Sequence, residues 1–530
     1  MSTATILPGL QLERNAFGGQ YAPNDIRDLV YHPGIISPLK LGETEVSYFL
    51  PSRENGVNDM YLHLGCRAPP CLVDRQRVAS VWAIMRVRHP LLGAKVRMNA
   101  YDDISFRYDA PLSPYEALQS AERNLEYREQ TKDAELINSY LNGPRMLSNE
   151  RLSYLLVSNS ELQSPSPGAD QNADFVICAT HFLGDGMALH QFANDFFTLL
   201  GSALDQAGLA SVLAAEWLAR CATEPALGLP LSIEDRLPSV PPGEFKRLAS
   251  RVDFALNQQK SIGGHSFPRQ PGRTRHTVVP TVSIDRETTK AILKNCKKNG
   301  VSISAALFAI CNIAWARTHS VGWELPIMLY SALNMRPSLR ADARLHDSYW
   351  FLAIGYFNIV LPAFFPKEGD AARMFWHRAR AAKAQSAAAA RSPMGASRCA
   401  LMAAERGTRA RMWAREDDDK VAGVQTSAPT APLAPPARLR PSGPSSALMG
   451  LSLLGNLDGI YQHARFPAIR IHTLTTGSRQ RAGGMLLFGY TFAGKLWVSF
   501  GYDENGFEEG VVQTFWNNVK NAVDEFLVPA

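Results

Sequence analysis

Asp174–Leu200 reads DFVICATHFLGDGMALHQFANDFFTLL. Its opening, DFVICAT, has the β-branched and aromatic content of a strand. Its close, Met187–Leu200, sets Phe192, Phe196 and Leu199 along one stripe at helical spacing. Between them lies His181-Phe182-Leu183-Gly184-Asp185-Gly186, a turn punctuated by glycine. A strand that runs through a sharp turn into a helix carries His181 to the sheet end, facing a cleft. Imidazole titrates near neutral pH and is the usual general base. Asp185, across the turn, either fixes it or pairs with a distant arginine. Gly186 would allow a backbone angle that other residues resist. A single histidine in a turn is most often structural; the strand, the HxxxDG spacing and the amphipathic helix together make His181 a candidate base.

The elements around this stretch alternate. Upstream, Leu72–Val87 has helical apolar spacing and stops before Pro90. Leu152–Ser158 pairs with Asp174–Thr180 as a hairpin around a polar Ser/Pro/Gly tip at 159–173, expected to be mobile. Downstream, strand Thr281–Ile284, helix Thr288–Lys298, helix Ile303–Arg317 capped by Ser302, and strand Pro326–Leu333 follow. Leu448–Gly455, Ile469–Thr475, Met485–Phe492 and Leu496–Tyr502 read as strands of one sheet. Helix Val511–Phe526 closes the chain. The class is α/β. Residues 222–280, rich in Pro and Gly, read as a crossover linker over the surface between halves 1–221 and 281–530. Ala/Pro-rich residues at about 385–445 read as an exposed, partly disordered insertion behind a basic helix at 371–390.

Composition narrows the function. The 530 residues are 46% hydrophobic and 20% charged, as in globular proteins. Lys plus Arg (55) exceeds Asp plus Glu (49) by only +6, which argues against a nucleic-acid partner. No apolar run is long enough to span a bilayer, and no secretory signal is read, so no membrane partner and a cytoplasmic location are expected. The seven cysteines are scattered, which suits reduced thiols. HExxH, Walker A, GxSxG and zinc spacings are absent; no metal is expected.

The motif HFLGDG resembles the HxxxDG signature of the coenzyme A-dependent acyltransferase superfamily, which includes BAHD enzymes, nonribosomal condensation domains and chloramphenicol acetyltransferase. Arg88–Leu92 resembles its early RHPxL element. Asn334–Pro337, Gly355–Asn358 and Leu451–Gly459 resemble later elements of its second half. The late segments look most like the fungal trichothecene 15-O-acetyltransferase group. Three features depart from relatives: Thr180 precedes the histidine where condensation domains usually carry a second His, Gly93 follows RHPLL, and the DFGWG motif of plant enzymes is missing.

The resemblance implies two chloramphenicol-acetyltransferase-like domains, each a mixed sheet with helices, and a channel between them. It implies transfer of an acetyl group from acetyl-CoA, as co-substrate, to a hydroxyl of a terpenoid-like fungal metabolite, with His181 as base and no tightly bound cofactor. The rivals are another donor or acceptor (an amine, a longer acyl-CoA, a carrier-protein thioester) and a non-catalytic scaffold. Asp185 is expected to pair with Arg336 rather than act directly. Ser478, Arg479 and Arg481 are candidates for CoA phosphates. Asn456, Thr475 and Thr476, or the Gly184 and Gly186 amides, are candidate oxyanion donors. Tyr356 and Asn358 are candidate channel residues. A monomer is expected.

Overall fold

The computed structural model describes residues 38–160, 170–222, 228–238, 243–319, 321–341, 348–365, 370–423 and 444–529. Two sheets organise it. The first has five strands in the order Arg470–Ser478, Met60–Ala68, Gln171–Ala179, Ser153–Ser160, Leu125–Tyr127. The second is built on the path Thr281–Ile284, Lys495–Asp503, Met485–Phe492, Ser445–Asn456, Ile327–Asn334, Ile354–Leu361, with two short strands paired to it. Both are mixed: Leu125–Tyr127 runs parallel to Ser153–Ser160, and Ser445–Asn456 is parallel to both its neighbours, while the hairpins are antiparallel.

The expected hairpin is present, with Tyr154 opposite Cys178 and Leu156 opposite Val176; most of its tip, 161–169, lies outside the described residues. The four late strands do not share one sheet. Arg470–Ser478 leaves its chain neighbours and pairs antiparallel with Met60–Ala68, at the edge of the first sheet. The reason is visible in the pattern: Ile471 and Leu474 are buried against the first core, whereas Leu487, Val498 and Phe500 fill the second. Each core holds enough large apolar side chains to sustain a fold by burial.

Helix boundaries follow local chemistry. Arg75–Arg88 starts where the Asp74 carboxylate accepts the Gln76 and Arg77 amides, and it ends just before Pro90. Ser302 caps Ile303–Thr318 through the Ala305 amide. The crossover is more ordered than expected: Glu244–Gln259 is a helix. So is most of the expected disordered insertion. Ala371–Ala390 is followed by a second helix, Gly395–Val421, which packs against helix Glu43–Ser52 of the first half through the Arg411–Glu43 ion pair. Its Ala, Arg, Glu and Met residues are strong helix formers. Apart from Pro393 before it, the prolines of this stretch lie beyond it, and residues 424–443 lie outside the description. Among the described residues no single helix is long and apolar enough to cross a membrane.

Candidate active site

Strand Gln171–Ala179 ends at Thr180, and the chain makes a single 3-10 turn, His181–Leu183. Helix Gly186–Leu200 begins after two intervening residues, Gly184 and Asp185. Asp185 is its N-cap, accepting the Met187 amide at 3.1 Å and the Ala188 amide at 3.2 Å. The same carboxylate, 3% exposed, receives Arg336 Nη1 on both oxygens at 2.9 Å and the Ala353 amide at 2.9 Å. Arg336 also donates to the Phe351 carbonyl at 2.7 Å and lies over the Phe351 ring. Asp185 is therefore filled by donors and joins the His181 turn to the second half of the chain.

Gly186 does not take a left-handed conformation. Its value is space: a Cβ there would lie 3.1 Å from Leu454 Cδ2. Gly184 is likewise pressed against Trp350, with Nε1 3.1 Å from where a Cβ would stand.

His181 opens onto a cavity of 2360 Å³ lined by both sheets. The Tyr48 ring stacks on the imidazole, with centroids 4.3 Å apart and planes inclined by 21°. Nδ1 is buried without a hydrogen bond of full geometry, although the His181 and Gly184 carbonyls lie close enough to favour a protonated ring. With Nδ1 buried and the residue lining the cavity, Nε2 is by elimination the nitrogen available to it. Burial dominates and holds the ring below its ordinary pKa, with the Arg406 charge acting in the same direction. The imidazole is thus neutral at physiological pH, which is the protonation state of a base.

The other candidates separate. Thr476, Ser478, Arg481, Tyr356 and Asn358 line the cavity. The Thr476 hydroxyl donates to the Tyr61 carbonyl and Asn358 donates to Ser261. Three do not reach it. Arg479 is 3% exposed and spends its guanidinium on the carbonyls of Tyr140, Gly143, Pro144 and Asn55, so it is a buried brace and not a phosphate ligand. Asn456 caps the turn at Leu457–Gly459 and accepts from Thr491. Thr475 pairs with His63 on the far side of its strand. Alternation explains this: Thr475 and Thr476 face opposite sides. Sequence reading missed Tyr48, Arg406 and Arg269. Arg269 lies beside Arg481 on the cavity wall; burial, and after it the Arg481 charge, lowers its pKa. No spacing marks any of the three; only the fold brings them in. Among the described residues no group of three or more His, Cys, Asp or Glu side chains is placed to hold a metal.

Solved structures share this architecture. A trichothecene 15-O-acetyltransferase from Fusarium sporotrichioides matches with a TM-score of 0.70 at 13% identity, over 91% of this chain and 93% of that one. This chain has the acyltransferase and condensation-domain fold. The epimerization domain from the third module of tyrocidine synthetase B matches with a TM-score of 0.57 at 12% identity, over 93% and 97% of the two chains. The condensation domain of the Monacolin K polyketide synthase MokA matches with a TM-score of 0.54 at 11% identity, over 93% and 98%. No protein-family model and no curated protein matches the sequence.

Proposed function

We propose that the chain is an O-acyltransferase that moves an acetyl group from acetyl-CoA to a hydroxyl of a terpenoid-like metabolite. The observation that carries this reading is a neutral imidazole, His181, with one nitrogen open to a large cavity shared by both sheets. Likeness to a trichothecene acetyltransferase supports the choice of acceptor class.

His181 Nε2 takes the hydroxyl proton as the oxygen attacks the thioester carbonyl. The tetrahedral intermediate collapses, the C–S bond breaks, and the proton passes to the departing thiolate. General-base help of this kind is worth roughly 10²–10⁴ in rate. Tyr48 holds the ring by stacking, and the Asp185–Arg336 pair holds the turn. Holding both substrates in one cavity supplies further acceleration by removing the cost of bringing them together. In this reading Arg269 and Arg481, both on the cavity wall, meet the CoA phosphates.

The test is mass spectrometry of hydroxylated sesquiterpenoids incubated with protein and acetyl-CoA. An acetylated product supports the reading. Product only from longer acyl-CoA or from carrier-bound thioesters refutes the donor, and product only with amines refutes the acceptor.

A further inference from the structure

Arg406 reaches from helix Gly395–Val421 into the cavity that holds His181. Its guanidinium carbon lies 4.1 Å from the centre of the Tyr356 ring and 5.4 Å from that of Tyr48. Tyr48 is the ring that stacks on His181, and the Tyr48 and Tyr356 hydroxyls are hydrogen bonded to each other. A full positive charge thus stands one aromatic ring away from the imidazole.

Among the described residues no carboxylate pairs with it. Burial disfavours its charge, but the phenols of Tyr356, Tyr48 and Tyr330, Tyr356 also by a hydrogen bond, outweigh burial and raise its pKa, so the guanidinium stays charged. Burial pushes the Tyr48 and Tyr330 phenols up, so they stay neutral and supply no counter-charge. Glu405 is the preceding residue in the chain and also borders the cavity, but it is exposed and makes no ion pair with Arg406. Two other arginines of this cavity are compensated, Arg336 by Asp185 and Arg53 by Asp418. These phenols keep the guanidinium charged but give it no carboxylate partner, and a ligand carboxylate is the group that supplies one. Guanidinium is also the side chain best matched to a carboxylate's two oxygens. The pantetheine arm separates the phosphates of CoA from its thioester, so with the thioester at His181 a charge one ring from the imidazole faces the reacting end and not the phosphates.

We propose that Arg406 is the carboxylate-recognition residue of this cavity, so that one of the two molecules meeting at His181 carries a carboxylate beside its reacting group. The inference rests on the acyltransferase reading and narrows its substrate class. The carboxylate belongs either to a hydroxy-acid acceptor or to a dicarboxylic acyl thioester. In either case the transfer balances as before: the C–O bond forms, the C–S bond breaks, the hydroxyl proton ends on the thiol, and the carboxylate is unchanged.

The experiment is equilibrium calorimetry on the full chain. One arm titrates a hydroxylated sesquiterpenoid carboxylic acid and its methyl ester; the other titrates malonyl-CoA and acetyl-CoA. The expected result is a preference of about 10- to 100-fold for the carboxylate form in one arm, the range of a hydrogen bond to a charged group. The arm that shows it identifies the source. Arg406→Met brings the ratio close to one, while Arg406→Lys keeps part of it. Equal binding within both pairs, or a preference that survives Arg406→Met, overturns the proposal. Thiol release, measured separately with the same compounds, reports on acyl transfer itself. Preference without turnover retains the carboxylate site and refutes the acetyltransferase; turnover without preference does the reverse.

Discussion

Asp185 is the residue whose substitution separates architecture from chemistry. Its carboxylate accepts Arg336 on both oxygens and the amides of Met187, Ala188 and Ala353, and it is 3% exposed. Asp185→Ala removes the cap of helix Gly186–Leu200, worth about 1 kcal/mol. It also strands Arg336 and the Ala353 amide. Breaking a buried ion pair from one side costs about 3–5 kcal/mol, and less where the stranded partner reaches solvent, as Arg336 does at 21% exposure. The expected loss is therefore about 3–5 kcal/mol. Asp185→Asn does not rescue it, because every neighbour is a donor and the amide presents one donor end. Arg336→Met strands the carboxylate instead and also costs several kcal/mol. The double substitution costs less than the sum, with a coupling of about 1–3 kcal/mol, because neither charge is left alone. The assay is urea unfolding followed by tryptophan fluorescence, with thiol release measured on the same preparations. An Asp185→Ala protein that unfolds like the wild type yet has lost its turnover refutes the reasoning and makes Asp185 a chemical participant.

Two further outcomes follow from the same geometry. Burial holds His181 below its ordinary pKa of 6.5, so kcat/KM is flat through neutrality and falls on acidification with an acid limb below pH 6.5, read from the pH–rate profile. Arg479→Met lowers the unfolding midpoint by leaving several buried carbonyls unpartnered and does not change the acetyl-CoA KM, whereas Arg481→Ala and Arg269→Ala raise that KM several-fold and leave the midpoint in place; steady-state kinetics beside thermal melting distinguishes them.

Much of the site was legible from one stretch. Strand, turn and helix around His181 lie where the apolar pattern sets them, because local periodicity and an aspartate cap decide them. The Asp185–Arg336 pair followed from the family resemblance. Long-range placement did not follow from pattern. Arg470–Ser478 alternates like any half-buried strand, and nothing in it says that its partner is Met60–Ala68 and not its neighbours in the chain. Arg479 and Arg481 look equivalent in SRQR, yet one turns into the first half and the other onto the cavity. Helix Gly395–Val421 was obscured by the prolines that follow it, although its own composition favours a helix. With it went Arg406, an arginine in a basic stretch until the fold sets it beside Tyr48.

The central claim is that His181 is the base of acyl transfer in a cavity shared by both sheets. Acceptor-dependent thiol release from acetyl-CoA, compared between wild type and His181→Ala, tests it most directly. The account predicts a fall of about 10²–10⁴ in kcat with the unfolding midpoint unchanged. Equal release by the two proteins would contradict it.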